Sequence, residues 1–167
     1  MTRLYLLRHA KARWAEPGSR DYDRALEPSG KADADQIGAS MLLAGHIPDR
    51  VLCSGAKRAR ETWAACSRHL PVADIRYMDD LSSSDATGYL DIIREAGGGG
   101  SVLVVGHNPM MEDLAMALSR DGETTALAAV SHGFPTCGLA VIRFPTPLGG
   151  IAPEDGFLEE FVAPREL

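Results

Sequence analysis

Ser101-Val102-Leu103-Val104-Val105-Gly106-His107-Asn108-Pro109 is the stretch on which the reading of the fold turns. Side chains alternate across an extended segment, so four successive aliphatic residues make both of its faces apolar. That pattern suits a strand covered on both sides. Residues 101–105 are therefore expected to run through the centre of a sheet with helices above and below. Asn108 as N-cap, Pro109 at the first helical position, and Glu112 and Asp113 in the first turn predict a helix opening beside His107.

Outward from this centre, short apolar runs at 3–7, 50–53, 75–78, 138–144 and 156–162 read as further strands. Helical spacing falls between them. Ala34, Ile37, Met41 and Leu42 share one face, with Ser29 as N-cap and Gly45 as stop. Ala59, Trp63, Cys66 and Leu70 mark a second helix, Tyr89, Ile92 and Ile93 a third, and Met110, Leu114, Ala117 and Leu118 a fourth. Residues 11–24 and 145–156 read as loops, and 97–100 as a glycine turn between helix and strand. Strands alternating with helices imply βαβ units. The expected fold is α/β, a three-layer sandwich about a mostly parallel, mixed sheet of about six strands. One domain is expected over 1–167.

The composition narrows the class of function. Hydrophobic residues make up 45% and charged residues 24% of 167, which supports an ordinary packed core. Lys plus Arg is 17 and Asp plus Glu is 23, a net charge of −6. A nucleic-acid partner would call for the opposite balance. No apolar run approaches the roughly 20 residues that span a bilayer, and the first strand is too short for a secretory segment. Cys53, Cys66 and Cys137 form no CxxC pair, so neither a zinc site nor a disulfide framework is expected. A cytoplasmic protein without membrane or nucleic-acid partner, and a monomer, is the expectation.

In open α/β sheets ligands bind beyond the carboxyl ends of the strands. There lie Arg8 and His9, then Ser54, Lys57, Arg58 and Arg60, then His107 and Asn108. Two histidines and several arginines thus meet on one edge of an acidic protein. Guanidinium forks and helix N-termini bind phosphate, so the edge reads as a receptor for a dianionic tetrahedral group. A neutral imidazole there can attack phosphorus and carry the phosphoryl group. Neighbouring arginines are expected to hold it neutral by like-charge repulsion. Ser54 is open to two readings, a phosphate ligand or a turn and cap residue, and Asn108 to a cap, a ligand or both. Arg24 is read as bracing its loop. Lys57 and Arg60 are read as helix-surface residues, and Lys11, Arg13 and Arg20 as solvated or steering charges. His46 and His69 are expected at helix ends and His132 in a solvated loop.

Five segments in order resemble the histidine phosphatase superfamily (branch 1). Leu6-Leu7-Arg8-His9-Ala10 resembles its strand and RH(G/A) signature. Asp23-Arg24-Ala25-Leu26 with Gly30-Lys31 resembles D-R-x-L…G-x. Ser54-Gly55-Ala56-Lys57-Arg58-Ala59-Arg60-Glu61-Thr62 resembles S-x-A-x-R-A-x-x-T. Gly106-His107-Asn108-Pro109 resembles G-H-N-P, and Pro164-Arg165-Glu166-Leu167 resembles the P-R-x-L ending of the small SixA-like group. The resemblance implies a phosphoglycerate mutase-like fold, a phosphate clamp of Arg8, Arg58 and His107, and His9 as nucleophile through a phosphohistidine intermediate. It implies no metal or organic cofactor.

One departure bears on the substrate. Larger members carry a glutamate after the third strand that protonates the leaving oxygen. Here that stretch is Asp79-Asp80-Leu81-Ser82-Ser83, with Asp80 as the best replacement acid. Imidazole can leave after taking its proton from solvent, whereas an alkoxide needs an acid worth about 10²–10⁴ in rate. Phosphohistidine on a phosphorelay protein is therefore the expected substrate. A small phosphomonoester is the alternative, and a non-catalytic phosphate-binding module a third reading.

Overall fold

The computed structural model describes residues 1–96 and 98–164. Its sheet has seven strands: β1 (Thr2–Arg8), β2 (Arg50–Ser54), β3 (Ile75–Met78), β4 (Val102–Gly106), β5 (Ser119–Gly122), β6 (Leu139–Phe144) and β7 (Gly156–Val162). The order is β3-β2-β4-β1-β6-β7-β5. β6 pairs antiparallel with both β1 and β7, and the other pairs are parallel. The sheet is thus mixed through one reversed strand. The seventh strand, β5, was outside the expected six. Its sequence, Ser119-Arg120-Asp121-Gly122, has no apolar residue, and pairing with β7 alone makes it a strand.

The helices are α1 (Pro28–Leu43), α2 (Lys57–Ser67), α3 (Asp80–Ser83), α4 (Ala86–Ala96), α5 (Met110–Leu118) and α6 (Thr124–Ser131). Alternation along the strands splits the core in two. Leu4, Leu6, Val102 and Val104 pack with Tyr89, Ile93, Met111 and Leu114 from α4 and α5. Tyr5, Leu7, Leu103 and Val105 pack with Ile37, Met41, Trp63 and Cys66 from α1 and α2. All five β4 residues are buried. Each aliphatic side chain buried this way contributes about 1.5–3 kcal/mol. At Gly38 a Cβ would come 2.7 Å from the Cys66 carbonyl oxygen, so glycine allows α1 to lie close on α2.

Several local expectations shift. α1 begins at Pro28 with Glu27 as N-cap, so Ser29 is already helical. Pro28 presets the first helical φ and has no N–H to satisfy. Gly45, at φ +76°, follows the C-cap as expected. Leu42 is 45% exposed rather than core. On α5 the buried face is Met111, Leu114, Ala115 and Leu118, so Ala117 points outward. α5 itself starts at Met110, so Pro109 and not Asn108 stands at the N-cap position. α3 and α6, too short or too alanine-rich to show a stripe, were not foreseen. The glycine turn loses Gly97, and the Pro-Arg-Glu-Leu ending loses residues 165–167, to positions outside the described residues. No helix among the described residues is long and apolar enough to cross a membrane.

Candidate active site

β1 and β4 run parallel and in register, with Arg8 opposite Gly106. Both chains leave the sheet at the same level, and the His9 N–H donates to the Gly106 carbonyl at 2.9 Å. This brings the rings of His9 and His107 to a centroid separation of 5.3 Å. β2 ends beside them and α2 carries Arg58 in its first turn. Parallel pairing of β1, β4 and β2, with α2 starting just past the end of β2, thus gathers Arg8, His9, Arg58 and His107 from three segments far apart in the chain.

Each of the four is held by a specific contact. His9 Nδ1 lies 2.7 Å from the Ala10 carbonyl oxygen. A carbonyl only accepts, so Nδ1 carries the proton and Nε2 keeps the lone pair. The Ala10 N–H donates to Thr62 Oγ1 at 3.0 Å, and Thr62 donates to the Arg58 carbonyl at 2.7 Å. Thr62 therefore ties the His9 turn to the helix of Arg58. Arg8 donates to the Phe134 carbonyl at 2.8 Å. Arg58 donates to the Asp21 carbonyl at 2.9 Å and to Asp21 Oδ2 at 3.1 Å. His107 Nε2 lies 2.8 Å from Ser54 Oγ, and the His107 N–H donates to the Tyr89 hydroxyl. That hydroxyl in turn donates to the Leu81 carbonyl.

Three buried nitrogens of this group have no hydrogen-bond partner among the described residues: Arg8 Nε, Arg58 Nε and His107 Nδ1. Leaving a buried polar group unmet costs about 1–3 kcal/mol each, a cost that an anion accepting from them would offset.

The electrostatics favour neutral rings. Burial is the largest cause, lowering His9 to about 3 and His107 to about 4. The Ala10 carbonyl opposes this at His9, and His107, Arg58 and Arg8 push the same way as burial. The direction matches the expectation, but desolvation leads and arginine repulsion is secondary. Burial raises the Asp21 carboxyl, yet hydrogen bonds from Arg24 and Arg58 carry it below its ordinary value. Unfolded histidine binds its proton near pH 6.5, above either folded value. Acid therefore favours the unfolded chain from about pH 6.5 downward, and alkali does not. NMR titration of the imidazoles is expected to find His9 and His107 still neutral at pH 5.5. A midpoint near 6.5 for either ring would contradict this site.

The remaining expectations sort by geometry. Ser54 is fully buried, and its hydroxyl meets His107 and accepts from the Ala56 N–H at 3.2 Å, rather than facing an open pocket. Asn108 Oδ1 accepts from the Glu112 N–H at 3.1 Å, a capping contact, and its amide reaches the Phe134 carbonyl at 3.4 Å. Arg24 braces its loop through the Arg13 carbonyl and Asp21. Asp80 is exposed at the start of α3, and no hydrogen bond or ion pair among the described residues joins it to the four. Its neighbour Asp79 instead accepts from the Tyr22 hydroxyl at 2.7 Å. His69 pairs with Asp35, His46 lies 3.4 Å from Glu160, and His132 is exposed. Among the described residues no group of three or more His, Cys, Asp or Glu is placed to hold a metal ion.

Asp21, Thr62, Tyr89 and the Phe134 carbonyl were missed as parts of the site. Thr62 stands four residues after Arg58, a spacing that sets both on one helix face. Asp21 and the Phe134 carbonyl leave no such signal, because loop closure brings them in.

A family model described as histidine phosphatase superfamily (branch 1) matches residues 4–88. An uncharacterized protein of Mycobacterium tuberculosis is 35% identical over 164 residues, covering 95% of this chain and all of that protein. Two solved structures described as phosphohistidine phosphatase SixA are similar throughout. That from Agrobacterium tumefaciens is 40% identical with TM-score 0.80, covering 97% of this chain and 98% of the other. That from Nakamurella multipartitia is 30% identical with TM-score 0.83, covering 98% and 96%. The architecture is the phosphoglycerate mutase-like α/β fold. With strand order, site geometry and sequence in agreement, the chain belongs to the histidine phosphatase superfamily, branch 1.

Proposed function

We propose that the protein hydrolyses phosphohistidine on a protein, such as a phosphorelay component, through a covalent intermediate on His9. The observation that carries this reading is the pairing of a fixed His9 tautomer with three unmet buried nitrogens on Arg8, Arg58 and His107. His9 Nε2 attacks phosphorus while the substrate P–N bond breaks and its imidazole takes a proton from solvent. Water then attacks the phosphorylated His9, releasing inorganic phosphate and restoring the neutral ring. The arginine forks stabilise charge on the equatorial oxygens in both steps.

Ser54 is a positioning residue in this scheme. With His107 neutral, the Ser54 hydroxyl donates to Nε2, which leaves the proton on Nδ1 facing a phosphoryl oxygen. Asn108, just before the N-cap, accepts from the Glu112 N–H in the first turn of α5.

The choice of P–N over P–O substrate rests on the acids. Asp80 is solvent-exposed, and Asp79 is engaged by Tyr22. The two SixA structures similar at 40% and 30% identity support the same choice. Three free, buried cysteines fit a reducing, cytoplasmic setting. The test is kcat/KM on a phosphohistidine protein against aryl, sugar and nucleotide phosphates. The phosphohistidine protein is expected to lead by at least about 10², the low end of what a missing general acid removes. Faster ester cleavage would favour a small phosphomonoester as substrate.

A further inference from the structure

Against the 3₁₀ turn Asp21–Asp23 lies a hollow of about 440 Å³ that neither His9 nor His107 lines. Asp21 reaches Arg58, whereas the next residue, Tyr22, lines the hollow. One wall is a single face of α2, with Lys57, Arg60, Glu61 and Ala64 at i, i+3, i+4 and i+7. The floor is Gly55, where any side chain would collide with Asp79 and the Tyr22 hydroxyl. The rim is Tyr77, 53% exposed, with the Arg60 guanidinium 5.5 Å from its ring centre.

The charges in this hollow are uneven in availability. Asp23 is paired with Arg20 at 2.9 Å. Glu61 accepts from the Leu26 N–H at 2.8 Å and lies 3.7 Å from Lys31. Lys57 and Arg60 are exposed and have no carboxylate within ion-pair distance among the described residues. Two unspent cations and two aromatic rings thus border a groove on a protein of net charge −6. Asp23 and Glu61, which line the same groove, and Asp79 beside its Gly55 floor are each engaged by a partner, so among the described residues Lys57 and Arg60 are the charges left to set the local potential.

We propose that this groove seats an acidic segment of the phosphorylated protein, a few residues from its phosphohistidine, with Lys57 and Arg60 as the specificity residues. The proposal rests on the phosphohistidine-protein reading above. Lys57 and Arg60 lie within about 5 Å of Arg58 along the axis but about 100° and 160° around the helix from it, so the groove is reached across a helix of about 10–12 Å diameter, a few residues of extended chain. An extended chain covers about 3.3 Å per residue, so a segment whose phosphoryl group sits on Arg58 reaches the groove with its near neighbours. Tyr22 and Tyr77 supply apolar surface for the segment's backbone and side-chain stems.

Two synthetic phosphohistidine peptides test this, identical except for aspartates or lysines flanking the histidine. The wild-type protein is expected to favour the aspartate peptide by about tenfold in kcat/KM at low salt. The ratio should shrink toward unity at 0.5 M NaCl, where the Debye length falls below about 5 Å. The double variant Lys57→Glu, Arg60→Glu is expected to invert the preference, an outcome that misfolding cannot produce. No preference in the wild type, or the same preference in the variant, overturns the groove assignment and leaves the proposed activity standing. Turnover of p-nitrophenyl phosphate with neither peptide cleaved overturns the phosphohistidine reading, and the groove's role with it.

Discussion

Replacing His9 with alanine is expected to lower kcat by at least about 10⁴ with the fold intact. The nucleophile in a covalent route is not one contributor among several, because without it no phosphoryl-enzyme forms and neither step proceeds. The structure leaves no evident substitute. The His107 ring is 5.3 Å away, but its Nε2 is engaged by Ser54. His9 Nδ1 is committed to the Ala10 carbonyl, so the phosphoryl group is expected on Nε2. Two measurements check this. Rapid quench under alkaline conditions with ³²P-labelled substrate should trap label on the wild type and none on the variant. A variant retaining more than about 1% of wild-type turnover would show that another group attacks phosphorus.

Replacing Arg58 with alanine is expected to lower kcat/KM by about 10²–10³, the usual loss when one charge-stabilising donor of the transition state is removed. Here a second effect adds to it. Asp21 accepts two of the Arg58 donors, one through its carboxylate. Without the guanidinium that carboxylate keeps only Arg24 as a cationic partner and, beside the mouth, repels a dianionic substrate. Asp21→Asn in the Arg58→Ala background is therefore expected to recover about tenfold. In the otherwise wild-type protein Asp21→Asn should slow turnover, because Arg58 loses the charged half of its anchor and keeps only the Asp21 carbonyl. The opposite signs in the two backgrounds form a double-mutant cycle. Equal effects of Asp21→Asn in both would show that Asp21 does not act through Arg58.

The division between what could and could not be read from the sequence follows physical lines. The aliphatic run 102–105 reads as a strand because it buries both faces over so few residues, and the runs around it read as strands through their alternation with helical segments. Strand ends then locate Arg8, His9 and His107, and a helix start locates Arg58. Periodicity fails where burial does not depend on apolar side chains. β5 is a strand because β7 offers it hydrogen bonds. Leu42 and Ala117 fit an apolar stripe but lie just past the edge of the buried face. Partners supplied by loops, such as Asp21 and the Phe134 carbonyl, carry no periodic mark. Asp80 shows the limit of arguing from neighbouring positions. One residue earlier, Asp79 is held by Tyr22, while Asp80 faces solvent.

Both margins of the sheet end in strands of only four residues, β3 and β5, each bearing an arginine in its interior, Arg76 and Arg120. A stranger's extended chain needs several unpaired rungs in a row, free of charge, before it can add itself there. Neither border supplies them, so the molecule is guarded against edge-to-edge aggregation even when crowded.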